Sequence, residues 1–125
     1  MSNNGGDCCG GSVRLIFPCS GASNTGEMCD RAARLLTKEG AGKMSCLAGI
    51  GGGIEGMINA AKEAEKVLVL DGCQLECAKQ SMERAGVNKF LHVQITDLGL
   101  VKGQSPVNDE NIGLVANKGK ALLSA

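Results

Sequence analysis

Lys66-Val67-Leu68-Val69-Leu70-Asp71-Gly72-Cys73-Gln74-Leu75-Glu76-Cys77-Ala78 changes character at its midpoint. Val67 to Leu70 is an unbroken apolar, β-compatible run, the pattern of a parallel strand buried on both faces. Asp71-Gly72 ends it with residues suited to a turn and a helix cap. A helical period follows, with Leu75, Ala78, Met82 and Ala85 on one side and Gly86 as the stop. In such a helix Cys73 and Cys77, four apart, lie one above the other on one face. They fall in its first turns, where unpaired N–H groups and the helix dipole favour thiolate over thiol. Two thiols delivered by a strand to a helix start are expected to form part of a site.

The flanking sequence repeats the same alternation. Val13 to Pro18 reads as a first strand, followed by the tight loop Cys19-Ser20-Gly21-Ala22-Ser23. Asn24-Thr25-Gly26-Glu27 has the form of a capping box. The helix after it is expected to run to about Lys38, with Met28, Ala32, Leu35 and Leu36 inward and Gly40 as its stop. Lys43 to Leu47 reads as a shorter second strand with Cys46 at its end. The small-residue run Ala48 to Gly53 leads into a helix over roughly Ile54 to Glu65, packing Ile54, Met57, Ile58 and Ala61. Beyond the central stretch, Leu91, Val93 and Ile95 alternate with His92 and Gln94 in a strand over Lys89 to Ile95. Thr96 to Leu100 is a loop, and a last helix over about Asn108 to Leu123 uses Ile112, Val115, Ala116 and Leu122.

Four strand–helix alternations predict an α/β fold: a three-layer domain with a four-stranded, mostly parallel sheet and helices on both faces. Right-handed crossovers with the first strand near the middle give the order 2-1-3-4. There is no internal repeat or domain boundary, so residues 13–125 are expected to form one α/β metal-binding domain. Residues 1–12, which include Cys8-Cys9 between glycines, read as a flexible Gly-rich tail.

The chain of 125 residues is 43% hydrophobic, yet it contains no Trp, no Tyr and two Phe, so its core must be built from Val, Leu, Ile, Ala and Met. The 13 basic and 13 acidic residues balance. Without a basic footprint or stacking aromatics, nucleic acid is not an expected partner. Nor is a membrane, since no apolar run approaches the roughly 20 residues of a span. The start of the chain lacks a charged and then apolar leader, so the expected location is cytoplasmic. In a reducing compartment seven cysteines, an odd number, are better read as metal ligands or reactive thiols than as disulfides.

Cys19 follows the first strand, Cys46 ends the second, and Cys73 with Cys77 follows the third. In a parallel sheet these are all carboxyl ends, hence one rim, where open α/β sheets bind ligands. Four thiolates suit zinc, but they also suit an iron–sulfur cluster. Metal-free thiol chemistry is a further alternative: a redox or sulfur-transfer enzyme with Cys73 attacking and Cys77 resolving. Plain packing of small buried cysteines is the fourth.

The motifs Pro18-Cys19-Ser20-Gly21, Cys46-Leu47-Ala48-Gly49-Ile50-Gly51 and Asp71-Gly72-Cys73-Gln74-Leu75-Glu76-Cys77-Ala78, together with the Asp97-Leu98-Gly99 loop, resemble those of the DGC domain family of small predicted zinc-binding proteins. The resemblance covers nearly the whole chain after the tail. It implies that Cys19, Cys46, Cys73 and Cys77 are the metal ligands and Zn2+ the cofactor. It brings no reaction or protein partner with it. The protein would then be a metal store, carrier, sensor or accessory protein.

The remaining candidates have plainer readings. Cys29, on the first helix, is expected to pack, with a fifth sulfur near the site as the alternative. His92, in mid-strand, reads as a satisfied sheet residue rather than a ligand. Gly51-Gly52-Gly53-Ile54-Glu55-Gly56 matches G-x-G-x-x-G, but no acid stands about twenty residues on, as a dinucleotide site requires. The loop after Cys19 places Thr25 where a phosphatase loop of this kind needs Arg, so phosphatase chemistry is not expected.

Overall fold

The computed structural model describes residues 13–19 and 21–125. The tail 1–12, with Cys8 and Cys9, and Ser20 lie outside the described residues. In chain order the elements are β1 (Arg14–Pro18), α1 (Asn24–Lys38), β2 (Lys43–Met44), α2 (Leu47–Gly51), α3 (Glu55–Glu63), β3 (Lys66–Asp71), α4 (Cys77–Arg84), β4 (Leu91–Gln94) and α5 (Asp109–Ser124). A 3-10 turn over Ile95–Leu98 follows β4 directly. The sheet order is β2-β1-β3-β4, with every pairing parallel. This is the expected 2-1-3-4 sheet.

Period-two alternation along β1 and β3 divides the core into two layers. Ile16, Leu68, Leu70 and Val93 face α1 and α5, where Met28, Ala32, Leu36, Val115 and Leu123 complete one cluster. Leu15, Phe17, Val67 and Val69 face the other way, against Ile50, Ala61, Ala78 and Met82. Val67 to Leu70 is buried on both sides of the sheet, as an unbroken apolar run in a central parallel strand requires.

Gly40 and Gly86 take left-handed backbone at φ +80° and +86°, ending α1 and α4 where the sequence placed their stops. At the amino edge of the sheet, Arg14 Nη1 and Lys66 Nζ donate to the Leu123 carbonyl at 2.9 and 3.0 Å. Two cations thus hold the carboxyl end of α5, whose carbonyls carry the negative end of the helix dipole.

Several boundaries differ from expectation, each for a local reason. Ser23, not Asn24, caps α1, its Oγ accepting from Gly26 N at 3.0 Å. Asn24 is thereby released to pin the loop after β4, bonding Val101 O, Ser105 O and Gly103 N. The second strand is two residues long, and Ala48 to Gly51 joins α2 rather than a loop. Ile54 is 54% exposed at the cap of α3 instead of packed. The glycine motif therefore bridges two helices rather than a strand and a helix, so the context of a dinucleotide fingerprint is absent.

Two glycines of α5 test the packing. A Cβ on Gly113 would meet nothing within 4 Å, whereas one on Gly119 would come to 2.9 Å from Leu68 Cδ2. Gly113→Ala should therefore raise stability by about 0.5–1 kcal/mol through helix propensity. Gly119→Ala should yield less or destabilise. Urea unfolding midpoints of the two variants check this ordering.

Candidate metal centre

All four strands end at one rim: Pro18, Met44, Asp71 and Gln94 are their last residues. Cys19 stands immediately after β1, Cys46 two residues beyond β2, Cys73 two beyond β3, and Cys77 opens α4. The five described cysteines are free thiols.

Asp71 organises this rim. It is 1% exposed, and its carboxylate accepts from Ala78 N at 2.8 Å, Lys79 N at 3.0 Å and His92 Nε2 at 2.8 Å. The first two bonds satisfy unpaired donors of α4, so Asp71 caps that helix from the strand end across a five-residue loop. The third ties β3 to β4. A carboxylate only accepts, so His92 Nε2 carries the proton. His92 is thus a satisfied sheet residue, its ring also edge-on to Phe90 with centroids 6.5 Å apart.

This cap corrects the reading of the central stretch. α4 starts at Cys77, preceded by Glu76 in left-handed backbone at φ 53°, so Cys73 lies in the loop and not in a helix. Cys73 and Cys77 are not stacked on one helical face, and Leu75 is 59% exposed. Helical periodicity ran through Leu75 in the sequence, but the reach of Asp71 to Ala78 and Lys79 moves the helix start onward. The preference for Cys73 as attacking thiolate loses its geometric basis.

Gly72 has a steric role. A Cβ there would lie 2.8 Å from Gly26 N and 2.9 Å from Thr25 C, both backbone atoms. One on Gly26 would lie 2.8 Å from Gly21 N. The loop after β1, the first turn of α1 and the loop after β3 therefore meet backbone to backbone, which only glycine allows. The consequence is chemical: Gly72 N donates to Cys19 Sγ at 3.3 Å.

Cys19 is the thiol whose acidity this packing changes. Its pKa is lowered from 9.0 to about 7, chiefly by the Cys29 S–H and also by the Gly72 and Gly21 amides, against burial and the charge of Asp71. Cys29 is fully buried on α1, as expected for packing. Its own pKa is pushed far up because its proton is given to Cys19 and because it is desolvated, with the charges of Cys19, Asp71 and Cys73 adding. Composition and spacing left this pair, ten residues apart in different elements, as the alternative to plain packing. The signal was that α1 begins directly after the Cys19 loop, so its first turns fold back over that sulfur.

The other candidates are more open. Cys73 Sγ lies 3.7 Å from Lys102 Nζ. Cys77 is exposed, and its carbonyl accepts from Ser81 Oγ at 2.8 Å. Cys46 is exposed and shares with Cys19 a cavity of about 650 Å³. Among the described residues, no three His, Cys, Asp or Glu side chains stand together so as to hold a metal ion. The donor set does suit a thiophilic cation in kind, being four thiols on one rim, one of them already biased to thiolate.

The family profile of the DGC domain matches residues 15–118. A protein of Pseudomonas aeruginosa described as the anaerobic and virulence modulator AnvM is 35% identical over 88 residues, 70% of this chain and 67% of that protein. The chain belongs to the DGC domain family. No solved structure matches it at a significant level. No helix among the described residues is long and apolar enough to cross a membrane.

The lowered Cys19 pKa sets a pH profile. Its thiolate forms as pH rises through about 7, two units below the 9.0 of an ordinary thiol. Peptide-resolved iodoacetamide labelling of Cys19 should therefore be half-maximal in rate near pH 7. In Cys29→Ala that midpoint should move up, because the strongest cause of the lowering is gone.

Proposed function

We propose that this chain is a small cytoplasmic metal-binding regulatory protein that holds zinc through Cys19, Cys46, Cys73 and Cys77. The carrying observation is that Cys19, biased to thiolate by Gly72 N–H and Cys29, stands on the rim shared by the other three cysteines. Thiolates are the ligands that zinc selects, and metal must displace a proton from each thiol. A site that already favours loss of that proton binds metal at lower pH. Lys102 beside Cys73 offsets part of the negative charge that four thiolates around a divalent ion leave over.

When bound, zinc with four thiolates has a closed shell and no position for an activated water. The reading is accordingly a store, carrier or sensor rather than a hydrolase. The description of the Pseudomonas relative as a modulator supports the regulatory part.

Native mass spectrometry of the full chain, purified without oxygen, tests the assignment. One zinc per chain is expected, lost in Cys73→Ala and kept in Cys29→Ala. Equal retention by the two variants, or an iron–sulfur mass with visible colour in the wild type, contradicts it.

A further inference from the structure

The cavity beside Cys19 is larger than a metal ion needs. At about 650 Å³ it falls in the range of small-molecule sites. Two thiols line it, Cys19 and Cys46, together with Asp30 and Arg34 of α1, Met44 and Ser81. The sulfurs come from neighbouring strand ends: Ile16 pairs with Met44, and Ser45 N bonds Ile16 O at 2.8 Å, carrying the register past β2. Adjacent strands lie about 4.8 Å apart, which sets Cys46 beside the Pro18–Cys19 end of β1.

One wall bears the Asp30–Arg34 ion pair. Arg34 Nε donates to Asp30 Oδ2 at 2.8 Å, while the Arg34 side chain is 68% exposed and its Nη groups have no other hydrogen bond among the described residues. A guanidinium presents a fork that matches a carboxylate. Thus one cavity contains a thiol that accepts the Gly72 N–H, a second thiol, and a largely exposed guanidinium.

We infer that this cavity binds a low-molecular-weight, carboxylate-bearing disulfide and exchanges with it. The Cys19 thiolate attacks one sulfur of the ligand, a Cys19–ligand S–S bond forms, the ligand's own S–S bond breaks, and one thiolate leaves to take a proton from water. The Cys46 thiolate then attacks the Cys19 sulfur, and the second ligand thiolate departs. The protein has lost two electrons and gained a Cys19–Cys46 disulfide, and the ligand disulfide has been reduced to two thiols. The ligand's carboxylate is held by Arg34. This activity does not require that the rim bind zinc.

The test uses the full chain after chelation, with zinc content read separately so that either reading can fail alone. The probes are glutathione disulfide, which is anionic, and cystamine, which is cationic. Adducts and internal disulfides are mapped by mass spectrometry over time. We expect the first adduct on Cys19, conversion to a Cys19–Cys46 disulfide, and accumulation of the mixed disulfide in Cys46→Ser. Arg34→Ala should slow glutathione disulfide roughly fivefold, the upper end for an exposed ion pair, without slowing cystamine. Adducts forming as fast on exposed Cys77 as on Cys19 would overturn the inference. So would an equal slowing of both probes in Arg34→Ala, a variant that retains every cysteine.

Discussion

The buried carboxylate of Asp71 is the constraint on which the carboxyl rim of the sheet depends. It sits at the end of the central strand and accepts three hydrogen bonds, two from the first turn of α4 and one from His92 on β4. A charge 1% exposed persists only when its lone pairs are occupied in this way. Those partners fix the position of α4 and hold β4 to β3, and the chain from Gly72 to Glu76 is left to span the gap as a loop. The Cys73 thiol is a product of that arrangement: it is displayed on a loop because the cap is made from beyond it.

A second constraint acts beside the first. Gly21, Gly26 and Gly72 allow three backbone segments to approach more closely than any Cβ permits. That approach brings the Gly72 amide to the Cys19 sulfur and seats the first turns of α1 over it, with Cys29 beneath. In the sequence Asp-Gly-Cys, the acid therefore caps, the glycine makes room, and the cysteine stands on the loop between strand and helix. The amino edge of the sheet has the opposite character, with Arg14 and Lys66 clamping the end of α5. The helix clamp and the rim cysteines occupy opposite ends of the same strands.

Much of this was legible in the sequence. The unbroken run Val67 to Leu70, the alternation at Leu91 to Ile95 and the glycine stops predicted four parallel strands in their observed order. Parallel topology alone then sent Cys19, Cys46 and Cys73 to one rim. What periodicity could not carry was any feature decided by a side chain reaching across a loop. Leu75 kept the helical phase yet lies outside α4, because Asp71 bonds past it. Asn24 looked like a cap, but Ser23 takes that role and Asn24 holds the Val101–Ser105 loop instead. Cys29 was read as packing, and it is buried, but its contact with Cys19 depends on how the first turns of α1 fold back. That geometry, not any local pattern, lowers the pKa of Cys19.

The central claim concerns the sulfurs that surround a bound ion, and X-ray absorption at the zinc edge of the loaded full chain reads them directly. The account predicts a shell of about four sulfur scatterers near 2.3 Å, with no imidazole signature. A shell dominated by nitrogen or oxygen, or one containing two sulfurs or fewer, would contradict it.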